Sequence, residues 1–238
     1  MVLAVTLLVV IPLNCETMPK PKQEIAKQEV AKYVANFNYT PDSQAAPGSA
    51  GVAFTIGHVN YKSDTKVLWF SFPQFENLDK AINDDLSELL IAKGFSVRGP
   101  FDSYDLIPFS DKKSIDLYLV PTMELFIMFK PEKTSEHCTG NIEIKGKITL
   151  ELREIITREL MWAKSIPFTN FEFPYSIHIP HYVQGQSYDL KPFIMNDVAK
   201  GIEQQYPKFM DTVSRLIDPE EMRIIKKQAE ELKSKKGY

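Results

Sequence analysis

The sequence contains only two cysteines, Cys15 and Cys138, and two thiols cannot build the disulfide framework of a small secreted domain. It also lacks an excess of positive charge. The formal net charge is −3, which removes the general electrostatic argument for binding nucleic acid. No glycine-rich phosphate loop and no nucleophile elbow occurs, so the signatures of P-loop hydrolases and α/β-hydrolases are missing. We therefore expect a protein that is not an enzyme and that uses no cofactor.

Long apolar runs are also lacking, apart from residues 1–13 at the N-terminus. This run is too short to span a bilayer, which needs roughly 20 apolar residues, but it fits the apolar part of a secretory signal peptide. Cys15 follows almost at once, as in bacterial lipoproteins, whose cysteine is acylated after the signal has been removed. We predict a signal peptide at residues 1–14, lipidation at Cys15 and membrane attachment through that lipid.

Three other interpretations of this N-terminus remain open. No Lys or Arg precedes Lys20, and Pro12 and Asn14 are unusual residues just before a lipidated cysteine. A plain signal peptide, a start assigned too far downstream, or a buried strand with a structural cysteine would each explain part of the pattern. Residues 15–32 are rich in Pro, Lys, Gln and Glu, which predicts a tether able to hold a folded body away from a membrane.

Residues 33–238 are predicted to form a single α+β domain, because strand patterns surround one helical pattern and two helical patterns follow them. Residues 75–93 carry apolar side chains at helical spacing and end at Gly94. Apolar residues alternate along 115–129, 142–152 and 159–166, which indicates an antiparallel meander with one buried face. We expect a mostly antiparallel sheet with the helices packed on one side. Further short strands are predicted at 33–39, 52–56, 66–72 and 95–98.

The C-terminal part of the sequence predicts two consecutive helices. The first covers residues 196–217, with a kink at Pro207. The second begins at Asp218, which is followed by Pro219, because an Asp cap with proline in the first helical position is a strong start signal. Residues 167–192, just before these helices, are rich in aromatic residues and proline. They form either a recognition loop or a wrap around the core.

Three side chains could carry chemistry, and each also has a simpler interpretation. Cys138 is predicted to be a loop thiol, because its neighbours Glu136, His137 and Thr139 are typical of a loop. A catalytic pair with His137 is possible but not expected, because adjacent side chains rarely point in the direction that such a pair needs. His178 and His181 could bind a metal on a helix, but Pro180 disfavours a helix and no third ligand is evident. We therefore expect a hydrogen-bonded or exposed histidine pair and no metal site.

Three segments in order resemble the neuraminyllactose-binding haemagglutinin family, which comprises adhesin lipoproteins of the outer membrane and flagellar sheath of gastric spiral bacteria. The first segment is Val-Ala-Asn-Phe-Asn-Tyr-Thr-Pro at 34–41, and the second, at 86–97, contains Leu-Ile-Ala-Lys-Gly-Phe. The third is the lysine-rich tail at 227–236. The resemblance implies a lipid-anchored protein at the cell surface, with host sialylated glycans or extracellular matrix as partners.

The resemblance also implies a ligand-binding segment, to which this sequence corresponds only in outline. The family's proposed sialic-acid motif is a basic hexapeptide, and the corresponding residues here are Lys130, Lys133 and Thr134. Glu132 and Glu136 lie within the same segment. Because an anionic sugar favours a cationic site with bidentate donors, these acidic residues argue against sialyl-lactose binding and favour a solvated hairpin loop.

Three functional hypotheses follow from the sequence. The first is a non-enzymatic surface lipoprotein that mediates adhesion to host glycans or matrix. The second is a periplasmic envelope lipoprotein that serves as a scaffold for a cell-wall or flagellar-sheath assembly partner. The third, which is the weakest, is an enzyme that uses His178, His181 or Cys138. The sequence does not determine the oligomeric state, and a dimer is compatible with it.

Overall fold

The computed structural model of the protein describes residues 33–42, 44–63, 68–101, 103–133, 137–167, 170–178 and 191–238. All of these residues belong to one compact unit, Ala31–Tyr238. The predicted signal peptide, the tether and Cys15 lie outside the described residues, so their assignments remain predictions. No helix in the described part of the chain combines the length and the hydropathy needed to cross a bilayer.

Seven strands and four α-helices make up the described unit. The strands are β1 (Ala53–Ile56), β2 (Asn60–Ser63), β3 (Ser96–Val97), β4 (Leu117–Lys133), β5 (His137–Glu154), β6 (Leu160–Pro167) and β7 (Phe171–His178). The helices are α1 (Leu78–Ala92), α2 (Phe109–Ser114), α3 (Lys191–Leu216) and α4 (Pro219–Lys236), with short 3-10 turns at Trp69–Ser71, Pro73–Phe75 and Tyr104–Leu106.

The long antiparallel hairpin of β4 and β5 is the centre of the sheet, whose strand order is β3-β1-β4-β5-β6. β6 lies beside the second half of β5, and β7 lies beside its first half. These pairs are antiparallel, whereas β1 is parallel to β3 and β4, and β2 is parallel to β4. The predicted α+β class is confirmed. The sheet also has a parallel part, because helix α1 crosses over between β1 and β3.

Side chains along the central hairpin point alternately to a buried face and to an open face of the sheet. In β4 the side chains of Leu117, Leu119, Met123, Leu125 and Ile127 are buried. They share one hydrophobic core with residues of α1, α3 and α4, so these helices cover that side of the sheet. The side chains between them point to the opposite face. We call this second surface the open face.

Two predicted strands have the expected burial but a different backbone. Ala35, Phe37 and Tyr39 are buried in alternation, yet residues 33–40 form no strand. The ring of Phe37 packs instead against Phe75 and Tyr206, at centroid distances of 6.4 and 5.4 Å. The described part of the predicted strand 66–72 is mainly the 3-10 turn Trp69–Ser71, which leads into the turn begun by Pro73. Side-chain packing replaces strand pairing in the first segment, and proline geometry replaces it in the second.

The C-terminal helices agree with the sequence prediction in their order and in their junction. α3 begins earlier than predicted and continues through Pro207. Asp218 caps α4, because its carboxylate accepts hydrogen bonds from the backbone N–H groups of Glu220 and Glu221. Gly237 ends α4 in the left-handed conformation at φ 78°, which glycine adopts without steric cost.

Candidate functional site

The sequence-predicted ligand-binding residues lie at the far end of the β4–β5 hairpin, and only Lys130 is described with its side chain. The backbone of Lys133 pairs with Thr139 after a register shift between Pro131 and Lys133, while Thr134 lies outside the described residues. The three residues are therefore not brought together as a described site. Their ligand-binding role remains a prediction.

Lys130 lies on the open face and is neutralised by two carboxylates. Its ammonium lies 2.7 Å from Glu143 on β5 and 3.6 Å from Glu172 on β7. Glu143 also contacts the ammonium of Lys145 at 2.6 Å. The hydrogen bond from Lys130 lowers the pKa of the Glu143 carboxyl, and the same bond raises the pKa of Lys130. Both groups thus favour their charged forms, and Lys130 is engaged within the sheet rather than available to an anionic ligand.

A second group of ion pairs lies further along the same face. Glu124 on β4 lies between Lys62 of β2 and Lys147 of β5, with an N–O distance of 3.5 Å to each. Between Glu124 and Lys130, the outward positions of β4 are Phe126 and Met128, whose exposed fractions are 42% and 38%. Two large apolar side chains are thus exposed to water between groups of ion pairs. They form a candidate contact surface, because an exposed apolar patch with a polar rim is typical of recognition sites. We call Phe126, Met128 and these ion pairs the hairpin surface.

One edge of β4 is also unpaired beside the hairpin surface, as far as the described residues go. The register of β2 ends where Ser63 pairs with Leu125, and no described strand lies beside β4 beyond that point. An edge of this kind presents backbone donors and acceptors to a further strand. Pro131 interrupts it, since proline has no N–H to donate. The available edge is therefore the short stretch from Phe126 to Lys130.

Cys138 is not the predicted loop thiol. It lies in β5, is fully buried and is not in a disulfide. The prediction was wrong because β5 starts at His137, so strand alternation directs the Cys138 side chain into the core and the His137 ring to the open face. Burial and the neighbouring Cys138 raise the pKa of the Tyr175 hydroxyl to about 12. A catalytic pair of Cys138 and His137 is incompatible with this geometry.

His178 lies beside His137, whereas the predicted pair of His178 and His181 is not tested by the described residues. His178 ends β7 and pairs across the sheet with His137, with 5.0 Å between ring centroids. His181 lies outside the described residues, as do residues 179–190 of the predicted aromatic loop. Within the described ranges, no group of three or more His, Cys, Asp and Glu side chains could hold a metal ion.

Sequence reasoning missed the hairpin surface, although a signal for it was present. The outward positions of β4 are occupied by Thr122 and Glu124, then by Phe126 and Met128, and then by Lys130. An apolar pair in the polar register of an amphipathic strand indicates a surface that is covered by something other than water. The alternating pattern of 115–129 predicts the buried positions of β4 and leaves open what covers this outward pair.

Comparison with known proteins supports the fold of the described unit. The sequence matches no protein-family model, and no curated protein matches it. Among solved structures, the chain is similar to a crystal structure described as a neuraminyllactose-binding haemagglutinin homologue from Helicobacter pylori. That likeness has a TM-score of 0.60 and 16% identity, and it covers 83% of this chain and 99% of the other.

Two further solved structures are less similar to the chain, with TM-scores below 0.5. A protein from Xanthomonas campestris has a TM-score of 0.32 and 12% identity, covering 76% of this chain and 91% of the other. A lipoprotein from Neisseria meningitidis has a TM-score of 0.26 and 10% identity, covering 65% of this chain and 96% of the other. The chain thus shares its fold with the Helicobacter pylori haemagglutinin homologue, at low sequence identity.

Proposed function

We propose that the protein is a non-enzymatic envelope lipoprotein, anchored through Cys15, whose α+β body mediates adhesion through the hairpin surface. The observation that carries the proposal is the exposed pair of Phe126 and Met128 on the open face. The predicted lipidation supports the envelope location, and the similarity to the haemagglutinin homologue supports a body of this fold in such a role.

The chemistry of the hairpin surface favours a protein ligand, such as a component of the extracellular matrix, over a sialylated glycan. Lys130 and Lys145 are already paired with Glu143, so a sugar carboxylate would have to displace existing ion pairs. A protein partner gains from burying the two apolar side chains, and it can leave the surrounding ion pairs solvated at the rim. The short open edge of β4 offers the same partner backbone hydrogen bonds.

Adhesion of labelled cells to immobilised matrix proteins and to sialylated glycans, compared with a deletion strain, tests the role. We expect the wild type to adhere to matrix protein, and the deletion strain to lose that adhesion. The double variant Phe126→Ser, Met128→Ser is expected to behave like the deletion strain. Phe109→Ser is the matched control, because Phe109 is 59% exposed on α2, away from the hairpin surface. Equal adhesion by the wild type and the deletion strain would refute the adhesive role.

A scaffold for a periplasmic partner is the second candidate, and the open edge of β4 favours it. Edge pairing is a common way in which one envelope protein can bind a strand of another. Protease treatment of intact cells separates the two candidates, because an adhesin is cleaved and a periplasmic protein is protected. Mass spectrometry of the mature N-terminus tests the anchor that both share, and an unmodified Cys15 would rule it out.

A further inference from the structure

Two histidines face each other on the open face, and neither belongs to the hairpin surface. His137 begins β5 and His178 ends β7, and the two residues are directly opposite each other in the antiparallel register. Both side chains are exposed, and their ring centroids lie 5.0 Å apart. Side chains directly opposite across two antiparallel strands are close enough to contact the same ligand. We call these two residues the histidine pair.

The separation of the two rings fits one shared metal ion. A metal–nitrogen distance of about 2.0 Å, with a coordination angle between a right angle and the tetrahedral angle, places the centres of two imidazole ligands about 4.5–5.2 Å apart. The observed 5.0 Å lies within this range. A neutral imidazole has one nitrogen with a lone pair, and exposed side chains can turn between rotamers to direct that nitrogen at the ion. The histidine pair can therefore chelate one ion without a change in the backbone.

The sheet fixes the backbone of the histidine pair before any ligand arrives. β5 and β7 are paired from the two histidines as far as Ile144 and Phe171. The residue pair next to the histidines is Cys138 with Ile177, and both side chains are buried in the hydrophobic core. Because separating the strands at this end would expose these apolar side chains, the two backbones stay together. Folding thus provides most of the ordering that a chelating site needs, which lowers the cost of binding.

The surroundings of the histidine pair leave room for water to complete the coordination of an ion. The next residue pair on the open face is Thr139 with Ser176, whose side chains are too small to cover the imidazole rings. Among the described residues, no third His, Cys, Asp or Glu side chain joins the two histidines in a group that could hold a metal. Water therefore takes the remaining positions, which makes the site open and exchangeable and not a closed structural centre.

We infer that the histidine pair binds a divalent transition-metal ion, Cu²⁺ more tightly than Zn²⁺, with His137 and His178 as its two protein ligands. Imidazole nitrogen suits copper and zinc, whereas calcium and magnesium prefer oxygen ligands. Among nitrogen sites, affinity is generally higher for Cu²⁺ than for Zn²⁺. The inference does not rest on the proposed adhesion, because no residue of the hairpin surface is a ligand. The sequence did not predict this site, since the partner of His178 lies on another strand.

Calorimetric titration of the detergent-solubilised, metal-free full chain with Cu²⁺, Zn²⁺ and Ca²⁺ tests the inference. We expect the tightest binding for Cu²⁺, weaker binding for Zn²⁺ and none for Ca²⁺. His137→Gln and His178→Gln should each lower the Cu²⁺ affinity at least about tenfold, because the remaining imidazole binds without the chelate. Pulsed electron paramagnetic resonance of the bound Cu²⁺ should show two imidazole ligands in the wild type and one in either variant. The thermal midpoints of the metal-free variants should match that of the wild type, because both side chains are exposed.

His58→Gln is the matched control, because His58 is an exposed histidine that follows β1, beside the start of β4 and far from the histidine pair. Its Cu²⁺ affinity should equal that of the wild type. His181→Gln should also leave the affinity unchanged, which separates the cross-strand pair from a pair of His178 and His181. No Cu²⁺ binding, equal binding of Ca²⁺, one imidazole ligand in the wild type, or unchanged affinity in His137→Gln would each overturn the assignment. An equal loss of affinity in His58→Gln or His181→Gln would overturn it as well.

Discussion

Replacing Glu154 by alanine should destabilise the protein, because this fully buried carboxylate joins the β5–β6 turn to helix α4. The carboxylate accepts hydrogen bonds from the backbone N–H groups of Ile156 at 3.0 Å and Thr157 at 2.5 Å. It also lies 3.3 Å from the ammonium of Lys233.

The magnitude follows from the contacts that Glu154→Ala removes. Breaking a buried ion pair by deleting one partner costs about 3–5 kcal/mol. Lys233 keeps 18% of its side chain in solvent, which places the expected loss in the free energy of unfolding at the lower limit, about 3 kcal/mol. For a domain of this size, such a loss lowers the thermal midpoint by roughly 6–12 °C. Urea denaturation at pH 7 measures the first quantity, and thermal unfolding followed by circular dichroism measures the second.

The loss in the free energy of unfolding caused by Glu154→Ala should also depend on pH, with a definite sign. Burial acts to raise the pKa of Glu154, but the bonds from Thr157 and Ile156, together with Lys233, outweigh burial and lower it overall. A carboxyl whose pKa is lower in the folded state stabilises the fold above its unfolded pKa, about 4.3, and loses that contribution as pH falls through the folded value. The difference in the free energy of unfolding between wild type and Glu154→Ala is thus complete at pH 7 and decreases below about pH 4.3.

Glu159→Ala is the control, because Glu159 pairs with Lys236 at the surface and should change stability by less than about 0.5 kcal/mol. A loss below about 1 kcal/mol for Glu154→Ala, less than a net charge-assisted hydrogen bond contributes, would refute the reasoning. A difference in the free energy of unfolding that did not change with pH would refute the assignment of Glu154 as charged in the folded protein.

Three further predictions concern the interior and the last helix. Tyr206→Phe removes the hydroxyl that donates to the buried Asp85 carboxylate at 2.6 Å, and urea denaturation should show a loss of about 1.5–3 kcal/mol; no loss would mean that the bond contributes nothing. Asp218→Ala removes the cap of α4 and should cost about 1 kcal/mol in the same assay, against a negligible change for the exposed Asp84→Ala. Ellman's reagent should modify Cys138 only after unfolding, since the thiol is buried; rapid reaction in the native protein would contradict the assigned strand.

The alternating apolar residues of β4 show what the sequence alone can and cannot predict. The residues Ile115 to Phe129 predict a strand with one buried face, and the structure has it at Leu117–Lys133. The same pattern does not reveal that parallel strands border one side of β4, because pairing direction depends on the crossover through α1 and not on the strand's own residues. The predicted strand at 33–39 was wrong for a related reason. An alternating pattern of buried residues can be recognised in a sequence, whereas the neighbouring strand to which they would be hydrogen-bonded cannot.

The candidate sites depended still more on tertiary structure. Local chemistry is enough to predict the Asp218 cap, the helical stripes and the α+β class, because each is encoded within a few residues or in one periodicity. The pairing of Lys130 with Glu143 and Glu172 required the register of three strands. The position of Arg158 over Tyr104 joined residues 54 positions apart through one turn with a positive φ. Register and long-range packing decide these contacts, and a single sequence carries no direct record of either.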